Sequence, residues 1–443
     1  MMADSGLTVE ERLVRVVQHL GLQQAHVTGG SPADIAGLLR THPDMVASLT
    51  LVCPARLPPQ AVQPCSDRLL IIVGDQGPPA AMVQQAVASL PGASVVPLSH
   101  YMSPPWADAV AERTAEVEHA LLSFLNAPHR PRIGAVDLRP QEGEIAGITY
   151  RVQGAGMPLL LLPLNLAATQ WDHLLARLSA QYCTITLSGP ELGFMPVLET
   201  RGKAWGYRSV VRTLIDEAHL QSGDTLLDVG CGSAVVDRWL AHYTNKRHPI
   251  VGVDVNRYLL REATALVQKD GLDDVIALQE GNAEALPFPD NAFDVVMSYT
   301  VMEETNAHTM LAEMIRVAKP GGRVAVMVRA MDVPWVVNVP LRPELKTKAE
   351  IPRGFVGAHG CADASLGKRF RAAGLEHVKM FPQLATFDNV HVAIGQFLQA
   401  GILGALDANE TQEWQASVRQ AVAEGTFYIA SSHHCAVGTK PSV

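Results

Sequence analysis

Thr225-Leu226-Leu227-Asp228-Val229-Gly230-Cys231-Gly232-Ser233-Ala234 is an apolar run that breaks into a glycine-punctuated turn. Its first half has the character of a buried strand, and helical spacing resumes after Ala234. A strand that turns sharply into a helix beside a ligand needs positions without Cβ. Glycines at 230 and 232 supply them. The ligand then lies at the carboxyl end of the strand, where open parallel sheets bind their ligands.

The residues downstream follow the same logic. Ile250 to Val253 is a second strand, and it ends at Asp254, whose carboxylate can accept from both hydroxyls of a ribose. Val275 to Gln279 is a third strand, leading to Gly281-Asn282-Ala283, where a side-chain amide and the backbone can meet an adenine edge. Phe293-Asp294-Val295-Val296-Met297 is a fourth. A helix through Met310 to Val317 stops at Lys319-Pro320-Gly321-Gly322, and a strand from Arg323 to Val328 follows. A dinucleotide fingerprint would need Gly or Ala three residues after Gly232. Position 235 is Val, so that alternative fails its packing test.

DVGCGSA (228–234), GVDV (252–255), GNAEALPFPDNAFDVV (281–296) and EMIRVAKPGG (313–322) occur in this order over ~100 residues. In order and spacing they resemble the class I S-adenosylmethionine (SAM)-dependent methyltransferases. The resemblance is greatest to the branch that holds the ubiquinone/menaquinone C-methyltransferases and their small-molecule relatives. It implies a Rossmann-like, seven-stranded α/β domain over 200–443, with its last strand antiparallel and placed at Thr426 to Val437. It implies SAM as cofactor, held by Asp228, Gly230, Cys231, Gly232, Asp254, Val255, Asn282, Ala283 and Tyr299. Trp205, Tyr207 and Arg208 belong to the segment that caps SAM in relatives. Aromatic faces there suit a sulfonium or equally a place in the core, and Arg208 suits a carboxylate. Two positions depart from the family: Ala234 stands where glycine is usual, and Asn282 where aspartate is frequent.

Methyl transfer from a sulfonium is an in-line displacement, and much of its rate comes from holding the partners at near-attack distance. A base is needed only when the nucleophile must lose a proton. Catalytic candidates are Glu303, Glu304 and His308, which follow Ser298-Tyr299-Thr300 at the end of the fourth strand. The same acids would also suit the start of a helix.

Two insertions are expected in this domain. Residues 331–361, with Pro334, Trp335, Pro340, Pro343 and Pro352, form an ordered loop over the site. At its end His359, Cys361 and Asp363 offer a metal or catalytic cluster, or Asp363 a helix cap. Residues 390–423 are helical, with apolar Ile394, Phe397, Leu398, Ile402 and Leu403, and suit a substrate lid or a homodimer face. His433 and His434, near the last strand, could reach a pocket, with the surface as the expected place.

The chain before residue 200 has another pattern. Glu10 to Leu20 is an amphipathic helix; Gln24 to Thr28, Ala47 to Val52 and Leu69 to Val73 are strands. Ala107 to Leu125 is a long helix, and Ala127-Pro128-His129-Arg130-Pro131 a linker. Gly29-Gly30-Ser31-Pro32-Ala33, between strand and helix, resembles the nucleophile elbow of α/β-hydrolases. Leu98-Ser99-His100-Tyr101 resembles that family's histidine segment, but Gly77 stands where its acid belongs and Asp75 is displaced. Residues 138–195, with Gly147-Ile148-Thr149-Tyr150-Arg151, an apolar strand to Pro163 and Trp171, resemble the start of the same fold. The later half, 1–127, thus precedes the earlier half, as in a circular permutation or two fused fragments. The region is then a scaffold, an esterase acting through Ser31 and His100, or a pocket that delivers substrate.

Composition bounds these readings. A length of 443 residues suits two or three domains. With 48% hydrophobic and 18% charged residues the chain builds cores rather than disorder. A net charge of -9, without a Lys/Arg run, speaks against a nucleic-acid partner. Six scattered cysteines with no CxxC indicate free thiols rather than a metal site or a disulfide framework. No run of ~18 apolar residues and no basic-then-apolar start occur, so a cytoplasmic protein without a membrane span is expected. The expected activity is methyl transfer from SAM to a small-molecule acceptor. The alternatives are the Ser31/His100 esterase and a SAM-binding protein without turnover.

Overall fold

The computed structural model describes residues 7–442 apart from 104–107, 129–132, 140 and 190–191. Most of the expected linker, and Ala107 at the start of the expected long helix, therefore lie outside the described residues. The chain divides into two compact units, Met1–Pro196 and Val197–Val443.

The first unit is built on one eight-stranded sheet. Its strands are β1 (Ala25–Gly29), β2 (Val46–Val52), β3 (Leu69–Gln76), β4 (Ser94–Met102), β5 (Gln141–Ile145), β6 (Ile148–Gln153), β7 (Met157–Leu161) and β8 (Tyr182–Ser188). They lie in the order β4-β3-β2-β1-β7-β8-β6-β5. β5 and β6 are antiparallel additions at one edge, and the other pairings are parallel. The stretches before and after residue 130 are thus not separate bodies. They join where His26, Val27 and Thr28 pair with Leu159, Leu160 and Leu161.

Every residue of β1 and β2 is buried, because helices cover both sheet faces. Leu13, Val16, Ile35 and Leu38 pack on one face; Leu121, Phe124, Trp171 and Leu174 pack on the other. Trp171 is fully buried, and its indole N–H donates to the Leu162 carbonyl at 2.7 Å. The expected long helix is two, Ala109–Glu112 and Thr114–Leu125. Arg113 leaves helical backbone between them (φ -134, ψ 39), where its guanidinium can hold both the Ser99 carbonyl and Glu116.

The second unit has strands β9 (Leu226–Val229), β10 (Ile250–Asp254), β11 (Ile276–Glu280), β12 (Phe293–Tyr299), β13 (Ala318–Arg329), β14 (Val336–Asn338), β15 (Glu376–Phe387) and β16 (Tyr428–Thr439). The order is β11-β10-β9-β12-β13-β16, with β15 along the far side of β16. β16 runs antiparallel to β13, with Arg323 opposite Thr439 and Arg329 opposite His433. These seven strands and the antiparallel member match the expected sheet. β14 is an eighth strand, paired with Tyr428–Ala430.

The two insertions do more than cover the site. Residues 331–361 contribute β14 and the helix Pro343–Ala349, which bury Val337 and Leu345 completely. Residues 390–423 form helices Ala393–Leu403 and Ala408–Ala423, whose Ile394, Leu398, Ile402 and Trp414 belong to the main core. Among the described residues no helix is long and apolar enough to cross a membrane. All six cysteines are buried and unbridged.

A buried ion-pair network sets the helix nearest the site. Glu199, on helix Met195–Lys203, meets Arg238, on helix Val235–Tyr243, at 2.5 Å. Arg238 also reaches Asp270 at 2.8 Å. Glu199 and Arg238 are both buried, so removing one would leave an uncompensated charge and cost about 3–5 kcal/mol.

Because the two segments of the first unit share parallel pairing, a cut between them should not separate them. A protease site inserted after Gly134, where an added Cβ would meet nothing within 4 Å, tests this. After cleavage the two fragments should co-elute in size exclusion without denaturant. Separate elution would show that the β1–β7 junction does not hold them.

Candidate functional site

The carboxyl edge of the second sheet gathers the conspicuous residues. β9 ends at Val229, and the turn has Gly230 at φ 83, Gly232 at φ 55 and Ala234 at φ 54. A Cβ on Gly230 would stand 2.3 Å from a Val301 methyl, so both backbone and space require glycine. Ala234 keeps the left-handed conformation that glycine would adopt more easily, at a cost of roughly 1–2 kcal/mol. Cys231 is a wall of this turn. Its Sγ would lie 2.9 Å from a Cβ on Gly252, and burial pushes the thiol far above its ordinary pKa.

Asp254 faces the turn from the end of β10. Its Oδ2 accepts from the Gly232 N–H and its Oδ1 from the Asn256 N–H, each at 2.8 Å. Burial raises its pKa, and these backbone donors oppose the rise. Val255 beside it is exposed. Beyond β11, Asn282 accepts from the Glu284 N–H at 2.8 Å through its side-chain oxygen. That leaves the exposed amide as a donor, with the Ala283 backbone beside it.

Beneath the turn lie two sealed carboxyl groups. Asp228 and Asp237 are 2% and 0% exposed. Among the described residues, no backbone N–H or cationic side chain donates to Asp228 Oδ1 or to either oxygen of Asp237. Burial first, and then the neighbouring Asp237 carboxylate, push the Asp228 carboxyl far above the carboxylate range. Burial raises Asp237 as well. Two such groups in contact retain a proton near neutral pH.

The segment after β12 carries the expected catalytic residues. Ser298 hydrogen-bonds the Val229 carbonyl at 2.7 Å, while Tyr299 is buried in the core with its hydroxyl on the Met297 sulfur. Glu303 is fully buried, and its Oε1 accepts from the Arg329 N–H at 2.6 Å. Its Oε2 has no partner, and burial raises its pKa. Glu304 holds the Arg329 guanidinium at 3.2 Å. His308 is not brought to the site. It is exposed at the start of helix Ala307–Val317, which Asn306 caps.

The cap segment also differs from expectation. Trp205 is 62% exposed and donates to Asp388 at 3.0 Å. Arg208 bonds the Gly202 carbonyl at 2.9 Å, and its charged neighbours are Arg238 and Glu199. Tyr207 is buried, because Gly206 lets its helix press against the Thr386 backbone. The cation in the site is Arg201, with its guanidinium 5.2 Å from the Tyr207 ring centre and reaching the Thr300 hydroxyl at 3.3 Å. Arg201 precedes the Trp205 helix, beyond the segment that the motif marks.

The other unexpected member is His433. It is 4% exposed, because β15 makes β16 an interior strand. The uninterrupted small and apolar run around it is the sequence signal of a strand buried on both faces. His434 points elsewhere, to Asp332 at 2.8 Å. Asp363 accepts from the Ser365 N–H at 2.8 Å, and Cys361 lies 3.7 Å from the Ser365 hydroxyl.

Residues 227–326 match the family described as a methyltransferase domain. The demethylmenaquinone methyltransferase of Symbiobacterium thermophilum is 36% identical over 113 residues, 25% of this chain and 45% of that protein. The methyltransferase phqN of Penicillium fellutanum is 30% identical over 166 residues, 37% of this chain and 49% of that protein. The chain therefore spans about half the length of the curated relatives it matches. The crystal structure of YcgJ from Bacillus subtilis shares 16% identity, covers 53% of this chain and 99% of its own, and has a TM-score of 0.36. The domain match implies SAM as the cofactor.

The sealed aspartates yield a stability test. A carboxyl with a raised folded-state pKa favours the folded state only where it is protonated, so its contribution falls as pH rises. Asp237→Asn removes one such group. The variant should melt above wild type by more at pH 8 than at pH 5, at about 2–4 °C per kcal/mol. An increment independent of pH would show that the pair is not strained by charge.

Proposed function

We propose that the chain transfers a methyl group from SAM to a small-molecule acceptor. The observation that carries this reading is the Asp254 carboxylate bound to the Gly232 amide across a turn that has no room for a Cβ at position 230. A carboxylate has lone pairs beyond the two engaged, enough for a ribose diol. The donor set fits the rest of SAM. Asn282 and the Ala283 backbone suit adenine, and Arg201 takes the carboxylate role expected of Arg208.

SAM supplies an electrophilic methyl group on a sulfonium. The chain's own work is to orient and to exclude water. Tyr207 closes the site from the cap segment as a buried wall. Glu303 locks the end of β13 through the Arg329 N–H, and Arg329 in turn anchors the 351–360 loop through the Phe355 carbonyl at 3.2 Å. Ile351, Phe355 and Val356 on that loop are exposed, and an acceptor with an apolar body would cover them.

We infer that the first unit is a circularly permuted α/β-hydrolase-like sheet serving as a scaffold. If residues 138–195 preceded 7–127, the sheet would grow from β5 at one edge to β4 at the other, which supports the permutation. An esterase site is not assembled. No hydrogen bond links Ser31 to His100, and His100 is exposed. Asp75 accepts from the backbone N–H groups of His100 and Tyr101.

Calorimetry with SAM on wild type and Asp254→Ala tests the main reading. Wild type should bind, and the variant should lose about 10–100-fold in affinity, the worth of charge-assisted hydrogen bonds. Acceptors are then screened by the mass gain of one methyl. Absence of SAM binding in wild type would reject the proposal.

A further inference from the structure

Thr300 follows β12 in a conformation that its own side chain resists. Its φ is 58, and no other β-branched residue among those described has a positive φ. A branched Cβ crowds the backbone in that region, so such strain persists only where the surroundings hold it, and it gathers at functional sites. Here the Thr300 N–H donates to the Met327 carbonyl at 2.7 Å, which ties the residue to β13. Val301, next in the chain, fills the space that a Cβ on Gly230 would need.

The hydroxyl gives the strain a use. It donates to the Tyr299 carbonyl at 2.7 Å, so its single hydrogen is committed there. Toward Arg201 it can offer only lone pairs, and Arg201 Nη1 donates into them at 3.3 Å. Arg201 lies three residues along its helix from Leu198, on the same face. Leu198 Cδ1 would stand 3.4 Å from a Cβ on Gly232, so that face lies on the glycine turn. Glu304 feels the charges of both Arg201 and Asp254, which sets the guanidinium near the ribose acid. Arg201 Nη2 has no hydrogen-bond partner among the described residues and is not sealed, which leaves it open to a ligand oxygen.

We propose that Thr300 is a positioning residue for the cofactor: its hydroxyl fixes the Arg201 guanidinium at the glycine turn, where the carboxylate end of SAM docks, and the strained backbone is kept for that hydroxyl. This rests on the SAM reading above. Glycine would take the same φ without strain but would offer Arg201 nothing. Valine would copy the shape and the strain and set a methyl group against Nη1. Serine keeps the hydroxyl with less crowding. A guanidinium held before the ligand arrives loses less side-chain freedom on binding, so the hydroxyl acts on affinity through Arg201.

Calorimetry on the full chain tests this with two probes: SAM, and 5′-methylthioadenosine, which keeps the nucleoside and a thioether but lacks the amino-acid end. Thr300→Val should weaken SAM about tenfold, as for a lost hydrogen bond to a charged group, and leave methylthioadenosine within about twofold. Thr300→Ser should bind both as wild type does. Arg201→Ala should itself weaken SAM, and adding Thr300→Val to it should change little. Thr300→Gly should melt above Thr300→Val, since both lack the hydroxyl and only valine keeps the strain, yet it should bind SAM no better. A residue that merely held the fold would recover affinity along with stability. Thr300→Ala and Arg201→Gln replace any first variant that fails to fold. The proposal is overturned by unchanged SAM affinity in Thr300→Val or in Arg201→Ala, by equal losses on both probes, by recovered affinity in Thr300→Gly, or by a full further loss in the double variant. Failure of wild type to bind SAM would instead reject the reading beneath it.

Discussion

The backbone at Gly230 lies so close to Val301 that not even a methyl group fits between them. The rest of the second unit depends on that closeness. It brings the loop after β12 against the turn after β9, and so places Thr300, Glu303 and Glu304 beside the glycine turn. Gly230 N–H and Cys231 N–H both donate to the Val253 carbonyl, and Gly232 N–H donates to Asp254. Three adjacent strands are thereby tied at their carboxyl ends. A ligand there meets preorganised backbone rather than a loop that must first be ordered.

Around this edge the chain sets charge into a low-dielectric interior and compensates it unevenly. Arg238 pairs with Glu199 and Asp270, Lys203 adds a second cation on Glu199, and together they hold the helix that carries Arg201. Asp228 Oδ1 and both Asp237 oxygens have no donor among the described residues, and only Arg238 opposes the burial of Asp237 electrostatically. Glu303 is half-satisfied, and His433 is satisfied on one nitrogen only. Buried polar groups left open in this way are costly, and they concentrate where a ligand can complete them.

The first unit obeys a different constraint. Its central strands are apolar along their length and must be covered on both faces, so neither of its two segments could bury its share alone. Its carboxyl edge has left-handed residues of its own, at Cys53, His100 and Asn165. Asn165 packs into the space beside Gly30 and donates to the Cys53 carbonyl at 3.0 Å. The tip of β1 next to Ser31 is thus packed against another loop.

The strand-and-turn grammar of 225–329 was legible because it is local. A glycine turn, an acid at the end of the next strand and a Pro-Gly-Gly stop each act within a few residues, so order and spacing marked the strands and the place of Asp254, and the family resemblance supplied the sheet. The antiparallel last strand was legible through the family resemblance. Long-range packing was not. Nothing local distinguishes Arg201 from Arg208, and only the lie of Gly206 on the Thr386 backbone and the Glu199–Arg238 pair decide which guanidinium turns inward. His433 looked like a surface residue until β15 covered its strand, and His308 looked catalytic until Asn306 capped its helix outward. Likewise, hydrophobic runs separated by a hundred residues carry no mark of which will pair. The β1–β7 junction, and the burial of 331–361 and 390–423 in the core, were decided by tertiary structure, because apolar area is buried by contact between segments that sequence spacing does not encode.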